Sequence, residues 1–192
     1  MTAALAALVE TTERALYEPA LTGERQRADA IRPAMAALLA SEDPIPIEAR
    51  DPLDGQAVGN LLHADSEGRF HILAVVFPAG TSSGVHFHGC WGVIGYLAGG
   101  DEETRYRVDG DRPVEHSRHV WHQGDITYLL PEDHEGWHRV RNPGPGVGVS
   151  VHVLCHLPAD HPHQFWDRDR NAAVPFPFVE AAPGRWRAML SR

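Results

Sequence analysis

The chain has 192 residues, with 26 acidic against 17 basic side chains and a formal net charge of −9 with histidines neutral. That length suits one domain with a sizeable core, and that charge, without a basic stripe, argues against nucleic acid as a partner. Two cysteines are too few for a disulfide scaffold and fit a reducing cytoplasm; thirteen histidines are the compositional outlier.

Met1 to Ala20 is alanine-rich but carries Glu10, Glu13 and Arg14, so it reads as neither a signal peptide nor a membrane span. Its apolar positions Leu5, Leu8, Val9, Ala15 and Leu16 form roughly one helical face over residues 2–18. Thr22 is a candidate cap for a second helix bearing Ile31, Met35, Leu38 and Leu39, and Pro33 predicts a late start or a kink. Ser41 to Pro46 breaks helical structure. Residues 1–45 therefore read as a helical prefix packed on the outside of residues 46–192, the whole forming one domain.

From about Ala57 the pattern changes to short β-like runs between turn signals. The candidates are 57–63, 69–77, 85–88, 91–98, 103–108, 113–122, 125–130, 137–142 and 147–156, with Asp109-Gly110 the clearest hairpin signal. Many short strands at this spacing predict a mainly β fold, an antiparallel sandwich or barrel. The tail from Pro158, rich in proline and aromatics, is expected to wrap it.

The most informative stretch is Gly84-Val85-His86-Phe87-His88-Gly89-Cys90-Trp91-Gly92. Side chains on a strand alternate, so His86 and His88 project from one face, and two imidazoles on a rigid strand are half of a metal site. A second stretch runs from Gly124 through Pro131 and Gly136 to His138 and Asn142. Together the two segments resemble the paired signature motifs of the cupin superfamily, over about residues 57–156. The resemblance implies a jelly-roll barrel with a metal held by His86, His88 and His138. Most metal-binding cupins add a glutamate shortly after H-x-H, whereas this chain reads Gly89-Cys90-Trp91-Gly92-Val93. Three imidazoles leave the ion's charge uncompensated, which favours an anionic ligand such as a thiolate and suits Fe(II).

Within cupins, the run from His86 through Trp91-Gly92-Val93-Ile94-Gly95 is similar to the bacterial thiol dioxygenases, the cysteine and 3-mercaptopropionate dioxygenases. That family carries a serine–histidine–tyrosine relay on a late strand. Ser150 and His152 match its first two places and are the catalytic candidates, but Leu154 stands in the third. Tyr128 or Tyr96 are candidate substitutes for that tyrosine, and the family's cysteine–tyrosine crosslink is excluded in its usual form. The carboxylate-binding arginine of cysteine dioxygenases corresponds to Asn60. The arginine of the mercaptopropionate enzymes falls in the run His161-Pro162-His163-Gln164-Phe165-Trp166-Asp167, which has none. The substrate-binding candidates are accordingly Asn60, Trp91, Tyr128, Leu154 and His163, with Gln164 beside them. The resemblance thus implies a cytoplasmic oxidoreductase that uses Fe(II) and O2 to turn a small-molecule thiol or thione, ergothioneine-like rather than cysteine, into a sulfinate. It implies no nucleic-acid or membrane partner, and a homodimer is expected from it, with the helical prefix as one of the surfaces through which it forms. Other readings of the same barrel are a dioxygenase acting on carbon, a non-redox Zn or Mn isomerase, and a ligand-binding module without turnover.

Several residues have plainer roles available. His116, His119, His122 and His134 read as solvated, and Asp101-Glu102-Glu103 and Asp167-Arg168-Asp169-Arg170 as exposed turns. Cys90 and Cys155 read as small buried hydrophobes, with Cys90 near enough in sequence to the ligands to line the cavity. Trp91 and Trp137 read as core or pocket wall.

Overall fold

A computed structural model describes residues 1–109, 112–130, 136–176 and 178–188. Two helices lead, α1 (Ala3–Tyr17) and α2 (Glu24–Leu39), followed by a 3-10 turn at Ile47–Arg50. Then come β1 (Val58–Ala64), β2 (Phe70–Phe77), β3 (His86–Phe87), β4 (Gly92–Ala98), β5 (Gly100–Asp109), β6 (Arg112–His122), β7 (Ile126–Leu129), β8 (Trp137–Arg141) and β9 (Gly148–Cys155). The tail adds β10 (Gln164–Asp167), β11 (Ala172–Pro175), β12 (Phe178–Ala182) and β13 (Arg185–Ala188). The mainly β fold with a helical prefix is as expected. The nine strand candidates fall on β1 to β9 within a few residues.

The strands form two sheets, ordered β12-β13-β1-β2-β9-β4-β7 and β11-β10-β3-β8-β5-β6, and the strand pairs are antiparallel. The Asp109-Gly110 turn signal falls on residues 110 and 111, outside the described residues, but Asp109 pairs with Arg112 on either side of it. Pro131 and His134 also lie outside the described residues.

Period-two alternation divides the first sheet into two faces. Outward, Ile72, Ala74 and Val76 of β2, Val93 and Leu97 of β4, and Val149, Val151 and Val153 of β9 join Leu5, Leu8, Ile31, Met35 and Leu38 of the helices in one core. Inward, Leu73, Ile94, Tyr96, Leu129 and Leu154 form a second, smaller cluster inside the barrel. The prefix is therefore the lid of the outer core, and the inner face is left to the site.

Two expectations for α2 are corrected. Gly23, not Thr22, precedes the helix, and the Gln26 side chain reaches back to accept from the Thr22 and Gly23 amides at 3.0 and 3.1 Å. Pro33 sits inside the helix, which rules out the late start and leaves the kink as the reading for this position. The lost hydrogen bond is tolerated because Ile31, Met35 and Leu38 are fully buried against the sheet. Gly95 permits that close packing, since a Cβ there would lie 2.6 Å from Met35 Sδ.

The tail contributes four strands that the pattern did not separate. β10 pairs with β3 and β13 with β1, so the tail extends both sheets. Cys90 and Cys155 are joined as a disulfide, with Cα atoms 6.2 Å apart. They are not two independent thiols, and the cytoplasmic expectation drawn from the cysteine count loses that support. Among the described residues no helix is long and apolar enough to cross a membrane.

Candidate metal centre

The centre is assembled where β3 meets β8. His86 and His138 are cross-strand partners in the ladder, and His88 follows His86 by two residues. All three are buried, at 7%, 6% and 2% exposure for His86, His88 and His138, and their ligand nitrogens lie within 4.8 Å of one another. His86 Nε2 is 3.1 Å from His88 Nε2, while His138 Nε2 is buried with no partner among the described residues. Burial, with His138 and His163 close by, holds His86 and His88 well below the usual histidine range, so both are neutral near pH 7. Neutral imidazoles converging through bare nitrogens are the donor set for a transition-metal ion, so the residues fit the group.

Each ligand's other nitrogen bears on its orientation. His138 Nδ1–H donates to Glu103 Oε1 at 2.9 Å, and His86 Nδ1–H points to the Gly84 carbonyl at 3.3 Å. Glu103 also accepts from Trp121 Nε1 at 2.9 Å and is paired with Arg105. Burial raises its pKa, but the His138 hydrogen bond and the Arg105 charge outweigh that and hold it at about 2. Glu103 is thus an ionised carboxylate, 1% exposed, behind the ligands. This corrects the exposed-turn reading of Asp101-Glu102-Glu103. Glu103 lies on inward positions of β5 with Arg105, and Asp101 is buried too, pushed up to about 7 by burial and by the Glu103 charge. The period-two pattern of β5 carried the signal for Glu103, hidden by an acidic run that looked like a turn.

Ser150 and His152 sit at alternate inward positions of β9, with Ser150 Oγ 2.8 Å from His152 Nε2. Burial, with His138 nearby, lowers His152 to about 3 and keeps it neutral. A cavity of about 350 Å³ opens in front of these groups. Its lining includes His86, His88, His138, His152, Leu154 and His163, and an apolar wall of Leu73, Val75, Phe77, Phe176 and Phe178. Arg187 and Gln56 stand at its edge, 3.5 Å apart.

Three of the expected substrate residues are elsewhere. Asn60 shares the outward face of β1 with Val58, and donates to the Ala49 and Asp51 carbonyls while accepting from Arg185. Trp91 belongs to the outer core. Tyr128 faces outward on β7 and donates to Asp29 of α2 at 2.9 Å. Strand parity puts Asn60 and Tyr128 on the far side of the sheet from the cavity, and Trp91, just before β4, packs on that side too. Tyr96 is inside the barrel, stacked on Trp121, but does not line the cavity. Gln164 is exposed. Asn142 has a structural role, donating to the Phe77 and Gly146 carbonyls and accepting from the Gly144 amide. His116, His119 and His122 are exposed on β6, as expected.

No protein-family profile matches the chain. Solved structures similar to it include a double-stranded β-helix protein from Klebsiella pneumoniae, at 17% identity and TM-score 0.45, covering 60% of this chain and 89% of that one. A cupin domain from Bordetella pertussis is similar at 18% identity and TM-score 0.41, over 56% of this chain and all of that one. Oxalate decarboxylase from Bacillus subtilis, studied for its Mn(II) centres, is similar at 19% identity and TM-score 0.43, over 56% of this chain but 28% of its own. The neighbours are double-stranded β-helix and cupin proteins. The chemistry of the site rests on its own residues.

Proposed function

We propose that the protein is an Fe(II)-dependent thiol dioxygenase that converts a small thiol or thione to its sulfinate. The observation that carries this reading is the ligand set. His86, His88 and His138 supply three imidazoles, and among the described residues no carboxylate joins them as a ligand. Such a set favours an anionic sulfur donor from the substrate over a neutral one. The bound iron would supply an open coordination face on which thiolate and O2 meet.

The chain's own residues then have distinct tasks. His86, His88 and His138 hold the ion, and Glu103 orients His138 through its Nδ1–H. His152 lines the cavity within the reach of bound substrate and is oriented by Ser150. As a neutral imidazole it offers one N–H donor and one acceptor nitrogen, and it orients the bound substrate by hydrogen bonding while the thiol proton passes to solvent and the product leaves as the sulfinate anion. Leu154, Phe176 and Phe178 exclude water and contact the substrate body. Overall, RSH and O2 give RSO2H: the sulfur gives up four electrons and O2 accepts them, so no outside reductant is needed. A wall of aliphatic and aromatic side chains suits an apolar or heterocyclic thiol better than cysteine. O2 uptake by the Fe(II)-loaded protein over a panel of thiols and thiones tests this. Uptake of one O2 per sulfinate formed, highest for a bulky thiol or thione, is expected. Efficient turnover of cysteine would overturn the substrate class, and no uptake with any thiol at full iron occupancy would overturn the reaction.

A further inference from the structure

A second group of histidines stands beside the first. His161 and His163 enter on the tight turn before β10, where the His163 amide donates to the His161 carbonyl at 2.8 Å. Their rings lie 3.6 Å apart between centroids, and those of His88 and His163 are 4.6 Å apart. One ligand nitrogen from each of His88, His161 and His163 lies within 4.8 Å of the other two. His88 and His161 are more than nine-tenths buried.

The two groups share His88, and His88 is the ligand whose second nitrogen is unaccounted for. His138 and His86 direct Nδ1–H to Glu103 and Gly84. His88 Nδ1 is buried with no partner among the described residues, and so are the Nδ1 atoms of His161 and His163. An unpaired polar group costs about 1–3 kcal/mol when buried, so three together in one place call for a common partner. Among the described residues none of these three Nδ1 atoms is paired with a neighbouring ring, although N–H···N pairing was open to them.

We propose that His88, His161 and His163 form a second metal position, for a divalent ion that favours nitrogen donors such as Zn(II), bridged to the first through the His88 ring. This builds on the first triad only in sharing His88. The ring binds the first ion through Nε2 and the second through Nδ1, and the Nδ1 proton is released to solvent. The resulting imidazolate supplies the one negative charge between the two cations, in a pocket where the described residues place no carboxylate among the ligands.

The test is metal stoichiometry on the full, disulfide-intact chain, stripped with chelator and checked for the absence of free thiol, then titrated with Co(II) alone. Bound metal is counted by elemental analysis and its coordination read from visible absorption. Two equivalents are expected for the unmodified protein. One is expected for His161→Ala, one for His138→Ala, and none above the surface background for the double variant. His161→Gln and circular dichroism separate loss of a ligand from loss of fold. One equivalent that His138→Ala removes and His161→Ala leaves would overturn the second position while leaving the first. No binding by the unmodified protein would overturn both. A single equivalent weakened by either variant would mean one ion shared by the whole cluster, which also contradicts the proposal.

Discussion

At the residue scale, Glu103 and Ser150 are the two side chains whose roles are most sharply testable, because each acts through a histidine. Removing the charge behind a ligating histidine commonly costs about 10–100-fold in metal affinity. Glu103→Gln keeps the shape and an acceptor for Trp121, so a loss of that size is expected in a chelator-competition titration with the fold unchanged. Equal affinity would show that His138 needs no carboxylate. Ser150→Ala removes the 2.8 Å partner of His152. It should lower kcat by about 10-fold or more while metal stoichiometry stays the same. A change in stoichiometry instead would place Ser150 in the metal-holding structure. The two cases also show what a single sequence displays. Ser150 and His152 are singled out by the resemblance to the family's relay at alternate positions of a late strand, and the structure places them on one face of β9, 2.8 Å apart. Glu103 was not legible, because three consecutive acids look alike until the partner strand shows which one faces inward.

At the element scale, the division of each strand into an outer and an inner face explains both what was readable and what was not. The existence of β1 to β9 followed from their apolar runs and intervening turns. Which face pointed inward did not: Asn60 is expected in the cavity from the place of the family's arginine, and Tyr128 as a substitute for the relay tyrosine, neither from parity. Strands β10 to β13 were missed because the tail reads as proline- and aromatic-rich, with Pro162 just before β10 and Pro175 closing β11, so no clear alternation between turn signals marks them. They matter functionally, since His163, Phe178 and Arg187 reach the cavity from them or from the turn before them. The helical prefix is seated by one close approach. Gly95→Ala would drive a methyl group against Met35, and overpacking of this kind costs about 1–3 kcal/mol. Urea unfolding should show that loss, and the cost of Gly95→Ala should largely vanish when it is measured in a Met35→Ala background. No relief would mean that the strain lies in the β4 backbone. Thr2, which caps α1 by accepting from the Leu5 amide, should cost about 1 kcal/mol on replacement by Ala.

At the scale of the whole molecule, the fold rests on buried neutral histidines and one covalent tie. Burial lowers His71 to about 4, with its Nδ1 2.6 Å from the His156 carbonyl, and lowers His152 to about 3. In the unfolded chain both titrate near 6.5, so below that pH the unfolded state binds protons that the folded state refuses. The histidines should therefore make stability fall as pH drops from about 6.5 towards 4, each contributing up to about 3 kcal/mol, while Asp101, raised to about 7, takes up a proton on folding in the same range and offsets about one of them. Urea midpoints of the metal-free protein at pH 7.5 and 4.5 measure this, and equal midpoints would contradict it. The Cys90–Cys155 bond closes a 65-residue separation between the site's rim and the end of β9. Loop-closure entropy then predicts that its reduction lowers stability by about 4 kcal/mol at most.

The central claim is that three histidines in this cavity direct both atoms of O2 onto one sulfur. The most direct measurement is turnover of the Fe(II)-loaded protein under 18O2, with the mass of the sulfur product read by spectrometry. The account predicts a sulfinate carrying both labelled atoms, formed by the intact chain and lost in His138→Ala. A sulfur product that carries a single labelled atom or none, or label found on carbon, would contradict it.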